Sequence, residues 1–587
     1  MTRSKRRRCL HSNAAMSLSA AILLVAALAL PDEGNSAPAF HGSAVPAAGE
    51  ALERCEELPT QPPDIEAHDS WSTWGGDQRN QRARAGEQTT LTASEVSALE
   101  VKWAYAVSEA ELMRSQPVVA GDWLYLGGVD GVVRALDARR GCVLWNTDVE
   151  VAVPSPLPAD ARFPLPAALI SGLALGETEG GDLKLFAGDR AARVHAFDPV
   201  TGELLWSREV SDHPFAHVSG APTPYQGTLY VPVSSDEWGA AEDAEYECCT
   251  FQGKVVALEA SSGDVLWEYH TIDDPPRETG RNEVGAMTWG PSGAAVWSAV
   301  TVDPHRGLLY VGSGQNYSHP STQTSSAIHA INAETGERAW VFQGTEGDVW
   351  TVACVPDALR EELGVSAANC PEDHGQNFDF GAAPILVPLP DEREILVAGQ
   401  KSGMVYGLDP DRDGAVVWET QVGGGAIGFG VHFGMAVQGD LVVVPVTDRE
   451  DLAEYMEYPL ERRPGVVGLD AATGDVRWAT PALEDSCDDR DGCHPGFSAP
   501  ATVLPGVALV GALDGHLQAF SLEDGQRIWA LDTARPFETI NDVPGRGGAM
   551  SAAGPVVADD MVYVLSGYGA FAGDMPGNVL LALSVER

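Results

Sequence analysis

Asp137-Ala-Arg-Arg-Gly141-Cys-Val-Leu-Trp145 is one copy of a signature that runs the length of the chain: a polar turn residue, then a glycine, then a tryptophan four residues after the glycine. It returns around Gly202 and Trp206, Gly263 and Trp267, Gly336 and Trp340, Gly414 and Trp418, Gly474 and Trp478, and Gly525 and Trp529. The Gly-to-Trp spacing never changes. Each turn follows an alternating apolar run, such as Val194-His-Ala-Phe-Asp198, and precedes a short run that ends on the tryptophan. That pattern is a β-hairpin. Successive glycines lie between 51 residues (Gly474 to Gly525) and 78 residues (Gly336 to Gly414) apart, room for four strands per unit. Repetition on this scale implies an all-β ring of four-stranded blades, which leaves only short, protected sheet edges.

The chain ends give the blade count. Val579-Leu-Leu-Ala-Leu-Ser584 matches the strand before the turn, but no Gly-x-x-x-Trp follows it. An orphan tryptophan strand, Leu99-Glu-Val-Lys-Trp103, lies near the start. If the two ends share one blade, the ring closes as an eight-bladed β-propeller. Its tryptophans then read as packing residues between blades, since each buries a large area and keeps a polar N–H.

Residues 1–37 read as an export signal: a basic head at Arg3 to Arg8, an apolar run from Ala14 to Leu30, then Pro31-Asp-Glu33. The run is too short and wrongly flanked for a membrane span, so a periplasmic or secreted protein is expected. Residues 38–70, rich in Pro, Ala and Glu, read as a linker or poorly ordered arm, and 71–587 as the propeller. Setting aside Cys9 leaves eight of the 9 cysteines, an even number that suits disulfides outside the cytoplasm. Cys354 with Cys370 and Cys487 with Cys493 are natural local pairs, leaving Cys55 with Cys142 and the adjacent Cys248 and Cys249. The formal charge of -47 disfavours nucleic acid and anionic membranes. It suits a solvated acidic surface, or a basic partner such as a cytochrome c.

Five strings stand outside the repeat: Trp71-Ser-Thr-Trp-Gly-Gly-Asp77, Glu247-Cys-Cys-Thr-Phe-Gln-Gly253, Gly290-Pro-Ser-Gly-Ala-Ala-Val-Trp297, Gly399-Gln-Lys-Ser-Gly403, and Ser566-Gly-Tyr with Pro576-Gly-Asn578. With them the chain resembles the alcohol dehydrogenases that use pyrroloquinoline quinone (PQQ), in the polyvinyl-alcohol dehydrogenase branch. The resemblance covers Trp71 to the C-terminus. It implies PQQ and a Ca²⁺ or lanthanide ion in the central funnel, with Trp297 as the aromatic floor under the quinone. It implies Glu237 as a metal ligand, joined by Gln315 or Asn316, either of whose amide oxygens fits the family's asparagine column. Lys401 stands where the family has a cation on the quinone oxygens. The family's base, an Asp after a Trp, is replaced here by Thr351, a poor base. Asp348 is the nearest carboxylate and the expected substitute. Cys248 and Cys249 resemble the adjacent-cysteine pair that covers the quinone in many relatives.

These expectations describe an exported quinoprotein that oxidises a secondary, possibly polymeric alcohol. The sequence contains no Cys-x-x-Cys-His, so covalent haem is not expected and electrons would pass to a separate acceptor such as a cytochrome c. Two rivals remain: a cofactor-free scaffold like the eight-bladed outer-membrane assembly lipoprotein, and a degenerate quinoprotein that binds without turnover. Two motifs are decoys. Asp409-Pro-Asp-Arg-Asp-Gly414 opens like a calcium loop but is a hairpin turn with one extra residue. Gly423-Gly-Gly-Ala-Ile-Gly428 lacks the βαβ setting of a dinucleotide site, and the next residues, His432 and Phe433, are expected to face the funnel.

Overall fold

The computed structural model describes residues 54–149, 168–425, 430–449, 461–483, 485–487, 490–569 and 574–585. The export signal expected over 1–37 lies outside the described residues. Eight four-stranded antiparallel blades form the ring, over 118–148, 174–209, 223–270, 301–343, 385–421, 436–481 and 502–532, with Val556–Ala558, Met561–Ser566 and Val579–Val585 completed by Leu99–Ala106 from the other end of the chain. Numbered in that order, these are blades 1 to 8. The first strand of each blade is mostly buried, as at Val118–Ala120, whereas last strands such as Leu204–Glu209 are largely exposed. The first strands therefore line the axis. Three short helices interrupt the pattern: α1 (Ala93–Val96), α2 (Glu237–Ala240) and α3 (Asp357–Leu363).

The signature glycine is where one blade meets the next. Gly202, Gly263, Gly336, Gly474 and Gly525 all hold φ between 72 and 74°. A Cβ on Gly202 would lie 2.5 Å from the ring of Trp145, and one on Gly263 would lie 2.7 Å from Trp206. Only glycine satisfies both demands, a left-handed turn and a backbone laid on an indole. The indole N–H closes the joint: Trp145 Nε1 donates to the Pro199 carbonyl at 3.0 Å, and Trp418 Nε1 to the Ala471 carbonyl at 2.9 Å. Asp409-Pro-Asp-Arg-Asp-Gly414 is the turn of blade 5, and Asp411 there pairs with Arg306 of blade 4.

A second device holds the ring together. Residues 70–89 touch the first strand of every blade in turn. Trp71 pairs with Val119, and the Ser72 carbonyl accepts from Leu175 N–H. Gln78 reaches Pro224 through its side chain and Val302 through its carbonyl. Arg79 and Gln81 hold Leu386, and Gln81 also holds Val437. Arg82 and Arg84 bracket Val503, and Arg84 Nε reaches Val557. Residues 54–70, expected as part of a loose arm, are fixed to blade 1 by the Cys55–Cys142 disulfide and by Trp123 Nε1 donating to Gln61. The pairs Cys248–Cys249, Cys354–Cys370 and Cys487–Cys493 are also present.

The glycine argument makes a graded prediction. Gly263→Ala adds overpacking to backbone strain, whereas Gly307, at φ 64°, has nothing within 4 Å of an added Cβ. Gly307→Ala should cost about 1 kcal/mol and Gly263→Ala roughly 2–4 kcal/mol. Thermal unfolding should place the second variant clearly below the first.

Candidate active site

Two tiers of loop residues face the axis. The lower tier lies four positions ahead of each first strand: Arg114 before Val118, Ser219 before Thr223, Trp297 before Thr301, His432 before Ala436. The upper tier follows the second strand: Arg190 after Gly188, Lys401 after Gly399, Tyr568 after Ser566. They enclose a cavity of about 570 Å³. Below it, Trp74 of the 70–89 segment and Trp297 line a much smaller space.

Trp297 lies where the lower tier puts it. Its ring fills the space above Gly381, where a Cβ would fall 1.8 Å from the indole. His432 and Phe433 meet it at steep angles, 5.7 and 5.6 Å between centroids, and both line the cavity as expected. Trp297 Nε1 donates to Asp379 Oδ2 at 3.1 Å, and the Gln315 amide donates to Asp379 Oδ1 at 3.0 Å. Lys401 Nζ lies 3.7 Å from Asp379 and donates to Asn377 Oδ1 at 2.9 Å. Trp297, Gln315, Lys401 and Asp379 thus form one group. Burial raises the pKa of Asp379, against the attraction of Lys401 and with the repulsion of Asp348. Burial lowers that of Lys401, against the attraction of Asp379.

Four expectations need correction on geometry. Glu237 does not line the cavity. It begins helix α2, which turns its carboxylate to the Thr250 and Phe251 amides (2.8 Å each), the Tyr246 hydroxyl (2.8 Å) and His213 (3.5 Å). Its neighbours Asp236 and Trp238 face the cavity instead. Asn316 also points away: its Nδ2 donates to the Ser292 carbonyl and its Oδ1 accepts from the Thr322 amide. Gln315 is therefore the cavity-facing member of that pair. Asp348 accepts the amides of Gln376, Asn377 and Phe378 and the Ser326 hydroxyl, so its oxygens are spent on holding the loop that carries Asn377 and Asp379. Cys248 and Cys249 are packed in the core with Phe251 and Ala295 and do not line the cavity.

The sequence reading missed Asp379 and the cationic side of the cavity. Arg190 ion-pairs with Asp236, and its Nε is buried without a hydrogen-bond partner. Beside it, burial pushes the His217 pKa down to about 3, so that imidazole is neutral. Arg114 lies 5.6 Å from the Phe433 centroid, with no carboxylate paired to it among the described residues. Arg449 adds a further guanidinium, paired with Asp574 at 2.7 Å. An indole face beside under-satisfied guanidinium groups suits a flat, polyanionic molecule. The signal for Arg114 was positional, the lower-tier rule. Asp379 was hidden because an inserted segment, 351–378, separates it from the Trp350 motif.

Comparison with known proteins agrees with this chemistry. A family model described as PQQ, glucose/ethanol/alcohol dehydrogenase, beta-propeller domain, matches residues 71–162 and 217–355. A polyvinylalcohol dehydrogenase of a Pseudomonas species is 38% identical over 534 residues, covering 89% of this chain and 78% of that protein. One from a Sphingopyxis species is 34% identical over 568 residues, covering 94% and 82%. Among solved structures, the quinohemoprotein alcohol dehydrogenase ADHIIG of Pseudomonas putida matches with a TM-score of 0.62 at 18% identity, covering 89% of this chain and 81% of that one. That last likeness concerns the fold.

The two aspartates should separate in stability measurements. Asp348→Asn leaves buried amides short of acceptors and should cost roughly 2–3 kcal/mol. Asp379 has a raised pKa, so the fold binds its proton more tightly than the unfolded chain does. Its carboxylate therefore lowers stability as pH rises through that window and above it. At pH 8, Asp379→Asn should melt no lower than the parent, while Asp348→Asn melts lower.

Proposed function

The chain belongs to the quinoprotein alcohol dehydrogenase family, in its polyvinyl-alcohol dehydrogenase branch, and on that footing we propose that it oxidises secondary alcohols, polymeric ones included, with PQQ. It does so outside the cytoplasm, and electrons pass to a separate acceptor such as a cytochrome c. The observation that carries this reading is the group of Trp297, Asp379 and Lys401 lining one cavity together with Arg114, Arg190 and Arg449.

PQQ is a flat tricarboxylate, and the residues present fit it. Trp297 offers the ring face, and Arg114 and Arg190 offer donors to carboxylates. Bound there, the quinone supplies the acceptor for the two electrons and the hydrogen that leave the carbinol carbon. Asp379 Oδ2 takes the hydroxyl proton. Its hydrogen bonds to Trp297 and the Gln315 backbone N–H fix its direction. Lys401, held by Asn377, presents positive charge beside it and stabilises negative charge developing on oxygen. A divalent cation, calcium by resemblance, meets two oxygen side chains on this face, Gln315 and Asp379. Calcium takes about six to eight oxygens, so bound groups would complete its shell. No step is assigned to it.

Loading the purified chain with PQQ and Ca²⁺ and following dye reduction with 2-butanol tests the proposal. Turnover is expected, and Asp379→Asn should lower kcat by roughly 10²–10⁴. Tight quinone absorbance without turnover would reduce the protein to a binding role. An Asp379→Asn variant with the parent's rate would place the base elsewhere.

A further inference from the structure

The cavity lining is chemically mixed. Besides the arginines and Asp379 it includes an apolar set: Trp238 from α2, Trp350 and Val352 at the start of the inserted segment, and Leu359 and Leu363 from α3. Helix α3 buries none of its residues fully. Leu359 and Leu363, four apart, share one helical face, and both line the cavity. The two leucines pack against the cluster of Trp350, Val352 and Val355 and also line the cavity, so they leave apolar area that a ligand can cover.

This wall is built to stay in place. Cys354–Cys370 closes the segment that carries α3. Arg360 donates to the Ala353 and Val355 carbonyls at 3.3 and 3.1 Å, capping the turn before the helix. Asn369 Nδ2 donates to the Asp243 carbonyl at 2.8 Å, and the Ser366 amide to the Glu242 carbonyl at 3.1 Å. The inserted segment is thereby zipped to the loop that follows α2. Trp238 and Trp350, 6.0 Å apart between centroids, form the join.

We propose that this α3 wall binds the aliphatic chain of the alcohol, and that Leu359, Leu363, Trp238 and Trp350 make the enzyme selective for alcohols with several carbons on at least one side of the carbinol. The inference rests on the oxidation reading above. Asp379 and the leucines line the same cavity, so the carbon chain of an alcohol whose hydroxyl meets Asp379 can be covered by the apolar lining. The fixed frame means the wall is ready before substrate arrives, so each methylene laid on it is gained without the cost of ordering a loop.

The test is a homologous series, 2-propanol to 2-octanol, with the PQQ- and Ca²⁺-loaded chain, joined by tryptophan-fluorescence titration of the cofactor-free chain with the same alcohols. In the parent, kcat/KM should rise about fourfold per added methylene until the wall is covered. The longer alcohols should perturb fluorescence at lower concentration than the shorter ones. Leu359→Ser/Leu363→Ser should flatten both slopes, and Leu359→Ala/Leu363→Ala, which keeps helix propensity, should flatten them in part. A parent that oxidises 2-propanol but shows no chain-length slope overturns the inference and leaves the oxidation reading standing. Slopes that survive both double variants also overturn it. A parent with no turnover, whose fluorescence still reports chain-length-dependent binding lost in the variants, supports the wall and removes the oxidation reading.

Discussion

A backbone laid on an indole is the contact that the ring depends on. Each signature glycine accepts a left-handed turn so that the next blade can approach the tryptophan of the one before it. The contact sets the distance and the tilt between blades together, because the indole N–H reaches a carbonyl in the same turn. The N–H groups of Trp103, facing the ordinary Gly141 turn, and of Trp340, facing the longer Asp409 to Gly414 turn, are left without a partner. The ring tolerates that at the longer turn because the contact with Gly414 remains, at 2.5 Å from a would-be Cβ. The eighth turn is missing, since blade 8 is built from both ends of the chain. The 70–89 segment compensates by hydrogen-bonding to all eight first strands, which couples the seam to every other blade.

The constant tilt has a consequence for function. Equivalent loop positions must project toward the axis at equivalent heights, whatever residue stands there. Arg114, Ser219, Trp297 and His432 are unrelated in chemistry but identical in placement. A rigid ring of this kind lets the site vary while the frame does not, because the glycine–tryptophan contacts that set the frame do not involve these loop residues.

That distinction explains what the sequence revealed. Spacing alone disclosed the ring, its eight blades and the shared closing blade, since period and turn chemistry are local properties. Trp297 stood out as a tryptophan outside the signature, and Lys401 was pointed to by the family resemblance; both line the cavity. Direction within a loop was not legible. Glu237 and Asp236 are neighbours, and a single turn of α2 decides which of them meets the cavity. Gln315 and Asn316 are divided in the same way, by a short pairing of Asn316–Ser318 with Ser292–Gly293 that pulls Asn316 aside. Asp379 was out of reach because the inserted segment breaks the spacing that would have pointed to it.

The carboxylates that look most catalytic as sequence turn out to be the most fully hydrogen-bonded. Asp348 accepts three amides and a hydroxyl, and Glu237 accepts two amides and a phenol with a histidine beside it. Such oxygens have their lone pairs committed, and in Glu237 burial is outweighed by the bonds from His213 and the amides, which hold its pKa below the ordinary value. Asp379 accepts from Trp297 on one oxygen and from the Gln315 backbone N–H on the other, with Lys401 3.7 Å away, and burial works against its charge. The two arrangements are connected. By holding residues 376–378 through their backbone, Asp348 lets Asp379 keep a fixed direction with few bonds of its own. It also adds a negative charge that raises Asp379's proton affinity further. Asp348 thus supplies rigidity to the loop, and Asp379 is the carboxylate of the pair that lines the cavity.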